Sequence, residues 1–334
     1  MAMAALNPSA STRYNHALIS TMLERFLIAL AILAAVGAML AATGVATGLV
    51  LRVPGGPVLA TAATGRMHEG CTLRAALAAD RYERARMAAR LDVAQRSHLV
   101  ERDGDLLLWR SPYGRAWIQD NNDSAFWAGD LHHWPPRWAN LEGLSLRSVQ
   151  AGDVVIDAGG HIGESALTAL HMGAGLVVSV EPDPLNAEAL RRNLSDAIRA
   201  GRLILVEKAL WDREGTLTLH RQDASTRSTV EPDPEDGIDV PIITIDRLVS
   251  DLQLPRVDFI KMDIEGAEQP ALRGARRTLQ RFRPVLAVGS YHKPDDIDEI
   301  PHIVRDMVPS YTMTALRCLQ IRGRIIPHLL YFHG

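Results

Sequence analysis

The chain has 334 residues, 22% of them charged, and a formal net charge of −3. That balance gives no global basic field and so argues against a nucleic-acid partner. The two cysteines, Cys71 and Cys318, lie far apart. They form neither a disulfide framework nor a zinc spacing, which fits a reducing compartment. The length suggests one large domain or two small ones.

Residues 1–25 read as a disordered N-terminus. From Phe26 to Leu51 no charge interrupts the chain, and Arg25 and Arg52 bracket the run. It exceeds the roughly 20 residues that a helix needs to cross a bilayer core, so 26–51 is expected to be a transmembrane helix. A cleaved signal peptide is the rival, with Ala60-Thr61-Ala62 as its cleavage site, but its apolar core would be shorter, about 7–15 residues. More arginines follow the span than precede it, which favours a cytoplasmic catalytic part in a single-pass protein. Residues 52–70, rich in Pro, Gly, Ala and Thr, read as a linker. Residues 71–104 read as a helical connector with Leu73, Leu77, Met87 and Leu91 facing inward. The run from Arg81 to Arg86 reads as a solvated face, or as a contact with anionic lipid heads.

From 105 to 334 the pattern is that of one domain. Leu106–Trp109 and Ala116–Ile118 are strand-like. Beyond 150, strands and helices alternate, which indicates an α/β fold with a mostly parallel sheet and helices on both faces. Residues 153–163 read Asp-Val-Val-Ile-Asp-Ala-Gly-Gly-His-Ile-Gly. An apolar strand ends at Asp157 and turns through Gly159, Gly160 and Gly163 into a helix. Glycines permit a tight turn and close approach to a ligand. A second strand ends at Glu181, 24 positions after Asp157. An acid there can accept hydrogen bonds from both ribose hydroxyls. As G-x-G-x-x-G the turn is defective, since Ala158 holds the first glycine position. As D-x-G-x-x-x-G it is similar to the nucleotide turn of class I S-adenosylmethionine methyltransferases. That donor carries no phosphate, so an acid in the turn is tolerated and can serve its cationic methionyl end.

The second informative stretch is Ile260-Lys261-Met262-Asp263-Ile264-Glu265-Gly266-Ala267-Glu268. Acids crowd the end of a strand and the start of a helix, on the edge where open α/β sheets bind ligands. Asp263 sits at the strand tip. Glu268 reads as a helix cap. A further apolar strand, Pro284–Val288, leads to His292 on the same edge, where a histidine can take a hydroxyl proton.

With these stretches in order, the chain resembles the FkbM-type methyltransferases. The matching residues are Asp153 to Gly159, Glu181-Pro182, Ile243-Thr244-Ile245-Asp246-Arg247-Leu248, Ile260 to Glu268, and Tyr291-His292-Lys293. The resemblance covers about residues 105–334. Gly160-His161 stands where the family commonly has Ala-Asn. The resemblance implies a class I, Rossmann-like fold, S-adenosyl-L-methionine as donor, and a hydroxyl acceptor on a small molecule, glycan or lipid-linked sugar. It makes Asp157, Gly159, Gly160, Gly163, Glu181 and Asp263 donor-binding residues, and Asp263 and His292 catalytic ones. No metal is expected, because the spacing matches no dedicated motif, although Asp263, Glu265 and His292 could instead hold a hard divalent cation. Two other classes stand beside this reading. One is a nicotinamide dehydrogenase, which would need the missing glycine. The other is a membrane-tethered module that binds the donor without turnover.

Overall fold

The computed structural model describes residues 54–121, 124–133, 138–139, 146–221, 228–230 and 237–334. The chain divides into two units, Met1–Arg66 and Met67–Gly334. The expected membrane span, 26–51, lies outside the described residues. Among the described residues no helix is long and apolar enough to cross a membrane. In the first unit, α1 (Gly56–Ala63) occupies part of the segment expected to be a linker. Proline in its first turn starts it, since proline there sacrifices no helical hydrogen bond.

The second unit opens with α2 (Leu73–Arg96), capped by Thr72, whose hydroxyl accepts from the Ala75 amide. Its buried face is not the expected one. Ala76, Ala79, Arg90 and Val93 are buried, while Leu73, Met87 and Leu91 are exposed. Small residues allow close packing: Val93 lies where a side chain at Gly129 would have to sit. Strands β1 (His98–Asp103), β2 (Leu106–Ser111) and β3 (Gly114–Gln119) form an antiparallel sheet. The end of the expected connector is therefore a strand. Two short helices follow, α3 (Ser124–Trp127) and α4 (Asp130–His133).

The alternating part then runs β4 (Val154–Ala158), α5 (Glu164–His171), β5 (Leu176–Val180), α6 (Pro184–Asn193), α7 (Ser195–Arg199) and β6 (Leu203–Val206). A small side sheet follows, from β7 (Ala209–Leu210), β8 (Gly215–Arg221), β9 (Ser228–Val230) and β10 (Gly237–Ile243), in the order β7-β10-β8-β9. The main fold resumes with α8 (Ile245–Asp251), β11 (Phe259–Met262), α9 (Glu268–Arg273), α10 (Arg276–Phe282), β12 (Val285–Gly289), α11 (Asp296–Met307), β13 (Thr312–Ile321) and β14 (Arg324–His333).

The seven-stranded sheet has the order β13-β14-β12-β11-β4-β5-β6. Five strands, β12 to β6 in that order, are mutually parallel, and β14 is antiparallel to both its neighbours. The parallel strands are apolar on both faces because helices cover both. Ile156, Val178, Ile260 and Leu286 belong to one core cluster, and Val155, Val177, Phe259 and Val285 to the other. The alternation of the pleat separates them. This is the expected α/β class, a mostly parallel sheet with apolar clusters on both faces.

Cys71 and Cys318 are joined in a disulfide across 247 positions of sequence. The reading that the two form no disulfide framework is thereby corrected. Sequence distance hid the contact: β13 packs along α2, where Arg317 lies 4.2 Å over the Tyr82 ring. Closing so long a loop is worth about 2–5 kcal/mol.

Candidate active site

The site forms where β4, β5 and β11 end. Sheet register sets Lys261, Asp157 and Ser179 side by side on three adjacent strands. Lys261 Nζ lies 3.1 Å from Asp157 Oδ1 and donates to the Ala158 and Gly159 carbonyls at 3.0 and 2.6 Å. Ser179 donates to Asp157 Oδ2 at 3.0 Å. Burial pushes the Asp157 pKa up, and Lys261 and Ser179 only partly offset it. Burial works against the Lys261 charge, but Asp157, Asp263 and Glu164 outweigh it and hold the amine protonated. The buried lysine thus clamps the first strand and its turn. Sequence reading passed over it; a charged residue inside the buried strand Phe-Ile-Lys-Met was the available sign.

The turn leaves β4 at Gly159, whose φ is 85°. A side chain there would come within 2.1 Å of the Asp263 carbonyl, so only glycine lets these two strand ends meet. A side chain at Gly160 would strike Ser179 and Leu190. Gly163 packs against Leu194 of the segment joining α6 and α7. Glu181 accepts from the His161 amide at 2.8 Å and the Asp183 amide at 2.9 Å. It therefore fixes the turn as well as the strand end. Burial raises its pKa more than these amides lower it. His161 itself has a positive φ of 48°. Its Nδ1 sits 3.1 Å from Glu164, and its ring packs edge-on against Trp127 at 5.5 Å. Burial alone would lower the His161 pKa, but Glu164 reverses this and raises it.

A cavity of about 410 Å³ runs along this edge. Gly159, Glu181 and Asp263 line it, as expected of donor-binding residues. Asp157, Gly160 and Gly163 are not among its lining residues. Asp157 is spent on Lys261, and the two glycines face packing neighbours. The acid on the cavity wall beside the turn is Glu164. One wall comes from α2 through Glu83, Arg86, Met87 and Arg90, which no sequence motif marked. Arg90 is buried, bonds Asp130 at 2.8 Å through Nε, and lies 4.2 Å over both the Phe126 and Trp127 rings.

At the far end Asp263 accepts from Tyr291 Oη at 3.0 Å. His292 Nε2 lies 3.4 Å from Asp263 and 3.2 Å from Glu265, and Nδ1 lies 2.8 Å from Glu268. The two expected catalytic residues are therefore brought together. Asp263, Glu265 and Tyr291 line the cavity, and the His292 side chain, 7% exposed, does not. Burial would lower the His292 pKa, but Glu265, Glu268 and Asp263 push it up to about 11. An imidazolium has no lone pair to accept a proton, so the geometry opposes the expected role of His292 as base. The same neighbours leave Asp263 below the usual carboxylate range: burial raises it, and His292 and Lys261 more than compensate. Glu268, the first residue of α9, makes no side-chain cap bond to the helix and instead accepts from the Ile264 and Gly266 amides of the preceding turn at 2.8 and 2.9 Å. Asp263, Glu265 and His292 offer ligand atoms within 4.8 Å of one another, a donor set that suits a hard cation.

The mostly parallel sheet, the glycine turn, the strand-end acid and the cavity beside them fit a fold of the α/β class I methyltransferase type. Residues 157–312 match the family model for the methyltransferase FkbM domain. It is 24% identical over 173 residues to the hexuronic acid methyltransferase AglP of Haloferax volcanii, covering 52% of this chain and 70% of that one. It is 26% identical over 192 residues to the 2-O-methyltransferase NoeI of Sinorhizobium fredii, covering 52% of this chain and 78% of that one. A solved FkbM methyltransferase from Methylobacillus flagellatus superposes with a TM-score of 0.45 at 22% identity, covering 75% of this chain and 59% of that one.

Proposed function

We propose that this methyltransferase uses S-adenosyl-L-methionine to methylate a hydroxyl of a glycan, a lipid-linked sugar or a small metabolite. One observation carries the reading: a single cavity runs from Glu181 past Gly159 to Asp263 and Glu265. Glu181 would receive the ribose hydroxyls, and Glu164 would face the cationic methionyl end. Two relatives named for transfer to a hexuronic acid and to a 2-oxygen support an oxygen acceptor.

The reaction is an in-line displacement. The acceptor oxygen forms a bond to the methyl carbon as the carbon–sulfur bond breaks. The bonding pair passes to sulfur, leaving neutral S-adenosylhomocysteine. The hydroxyl proton passes to the carboxylates of Asp263 and Glu265 and on to solvent. His292 holds those carboxylates in place and is not itself the proton acceptor. Positioning of the two reactants supplies much of the rate. Calorimetry on the full chain in detergent tests the donor assignment. S-adenosylmethionine and S-adenosylhomocysteine should bind and NAD should not; binding of NAD alone would replace the reading with a dehydrogenase.

The uncharged run 26–51 supports attachment to a membrane. The Cys71–Cys318 bond favours an oxidising compartment for the catalytic unit, against the cytoplasmic side that the arginine count suggests. Acid-trapped alkylation in cells decides between them. Blocked thiols place the unit on the oxidising side, and two reactive thiols place it in the cytoplasm.

A further inference from the structure

The glycine turn presents one side chain whose chemistry the methyl-transfer reading leaves unused. His161 lies on the cavity wall with Glu164 and Trp127. Its backbone is committed: the amide donates at 2.8 Å to Glu181, the acid placed for the ribose. Its ring is held from two sides. Nδ1 stands 3.1 Å from Glu164 Oε1, and the Trp127 ring packs edge-on at 5.5 Å. Nε2 is buried, and among the described residues it has no hydrogen-bond partner. A buried polar atom left in that state is costly unless a ligand completes it. Glu164 favours the charged ring, against burial. Both nitrogens of a charged imidazole are donors, so Nε2 calls for an acceptor, and an anionic one makes the strongest bond.

The other cations on this side of the cavity are already engaged. Lys261 serves Asp157 and the Ala158 and Gly159 carbonyls. Arg86 and Arg90 both turn their guanidinium groups on Asp130. The methionyl end of S-adenosylmethionine is a zwitterion, with an ammonium and a carboxylate on one carbon. Glu164 and His161 are its complement, an acid for the ammonium and an N–H for the carboxylate. A carboxylate on the acceptor would offer Nε2 the same chemistry. The bond from the His161 amide to Glu181 favours the donor, because the ring stands on the turn that the ribose acid holds.

We propose that His161 Nε2 donates a hydrogen bond to the methionyl carboxylate of S-adenosylmethionine and so selects a donor with an intact amino-acid end. The inference rests on the methyl-transfer reading and deepens it. Glu164 then has two roles, orienting the ring through Nδ1 and facing the ammonium. Anchoring the amino-acid end restrains the chain that leads to sulfur, and with it the direction in which the methyl group is presented.

The test is calorimetry on the full chain in detergent with three ligands and no acceptor. They are S-adenosylmethionine, its decarboxylated form, which keeps the ammonium, and 5′-methylthioadenosine, which lacks the whole amino-acid end. Wild type should bind S-adenosylmethionine about 10–100-fold more tightly than the decarboxylated form, as one hydrogen bond between charged groups allows. His161→Phe keeps a ring without an N–H, and His161→Gly suits the positive φ of 48° at this position. In both, S-adenosylmethionine should weaken by about that factor, while the other two ligands change by less than about threefold. Thermal melting confirms that each variant is folded. No preference for the carboxylate in wild type would overturn the proposal. So would an equal loss of all three ligands in the variants, or full retention of the preference in both. Glucuronate probes the rival source: its binding lost in the variants, with the donor preference kept, would assign Nε2 to the acceptor instead. Binding of 5′-methylthioadenosine without a carboxylate preference removes this inference alone. Binding of none of the three removes the donor reading and this inference with it.

Discussion

Replacing Lys261 with methionine keeps the length of the side chain and deletes its charge. In the native protein Nζ meets Asp157 Oδ1 at 3.1 Å and the carbonyls of Ala158 and Gly159 at 3.0 and 2.6 Å. Both side chains of the ion pair are almost wholly enclosed, at 8% and 1% exposure, so solvent screening gives little relief. Breaking one side of a buried pair costs about 3–5 kcal/mol, because the remaining charge is left without a partner. For a unit of this size each kcal/mol is worth about 2–4 °C of melting temperature, so K261M should melt roughly 6–20 °C lower. Asp157→Asn together with K261M removes the orphaned charge, so the double variant should cost less than the two singles added, by about 0.5–3 kcal/mol. Urea unfolding followed by tryptophan fluorescence measures all three. A K261M loss below about 1 kcal/mol, or strict additivity, would refute the clamp that ties Lys261 to the glycine turn.

Glu181→Ala should weaken S-adenosylhomocysteine binding at least tenfold by calorimetry, since each bond to a charged acceptor is worth about 1.5–3 kcal/mol. The His161–Glu164 pair should make stability pH-dependent. Glu164, lowered from 4.5, contributes above that value and loses its contribution as pH falls through its folded pKa; His161, raised from 6.5, contributes below that value and loses it as pH rises through its folded pKa. Wild type should therefore gain over Glu164→Gln most between about pH 4.5 and 6.5, a difference that denaturation at about pH 5.5 and 8.5 will show. Cys71→Ser with Cys318→Ser should lose about 2–5 kcal/mol in the same unfolding assay.

The sheet was legible because buried parallel strands are continuous apolar runs ending in punctuation. The strands at 154–158 and 176–180 fall within a residue or two of the runs read from sequence. The acids at 181, 263 and 265 were legible because polar side chains at such strand ends break the pattern. The division of labour within the turn was not. Whether Asp157 faces a ligand or the lysine at 261 depends on register between strands, which local sequence does not carry. The face of α2 was misread for a related reason. Its leucines satisfy helical spacing, but close packing selected Ala76 and Ala79 for burial and left Leu73 and Leu91 outside. The contribution of α2 to the cavity wall, and the disulfide that ties Cys71, two residues ahead of it, to β13, are likewise tertiary facts.

Methyl transfer to oxygen is tested most directly by supplying the purified full chain with S-adenosylmethionine carrying a deuterated methyl group, together with extracted membrane glycans and lipids, and reading the products by mass spectrometry. The expected product is a deuteromethyl ether on a hydroxyl oxygen, formed in step with S-adenosylhomocysteine and lost with Asp263→Asn. Label on nitrogen or carbon, or no label from an enzyme that binds the donor and is supplied with Mg²⁺, would contradict it.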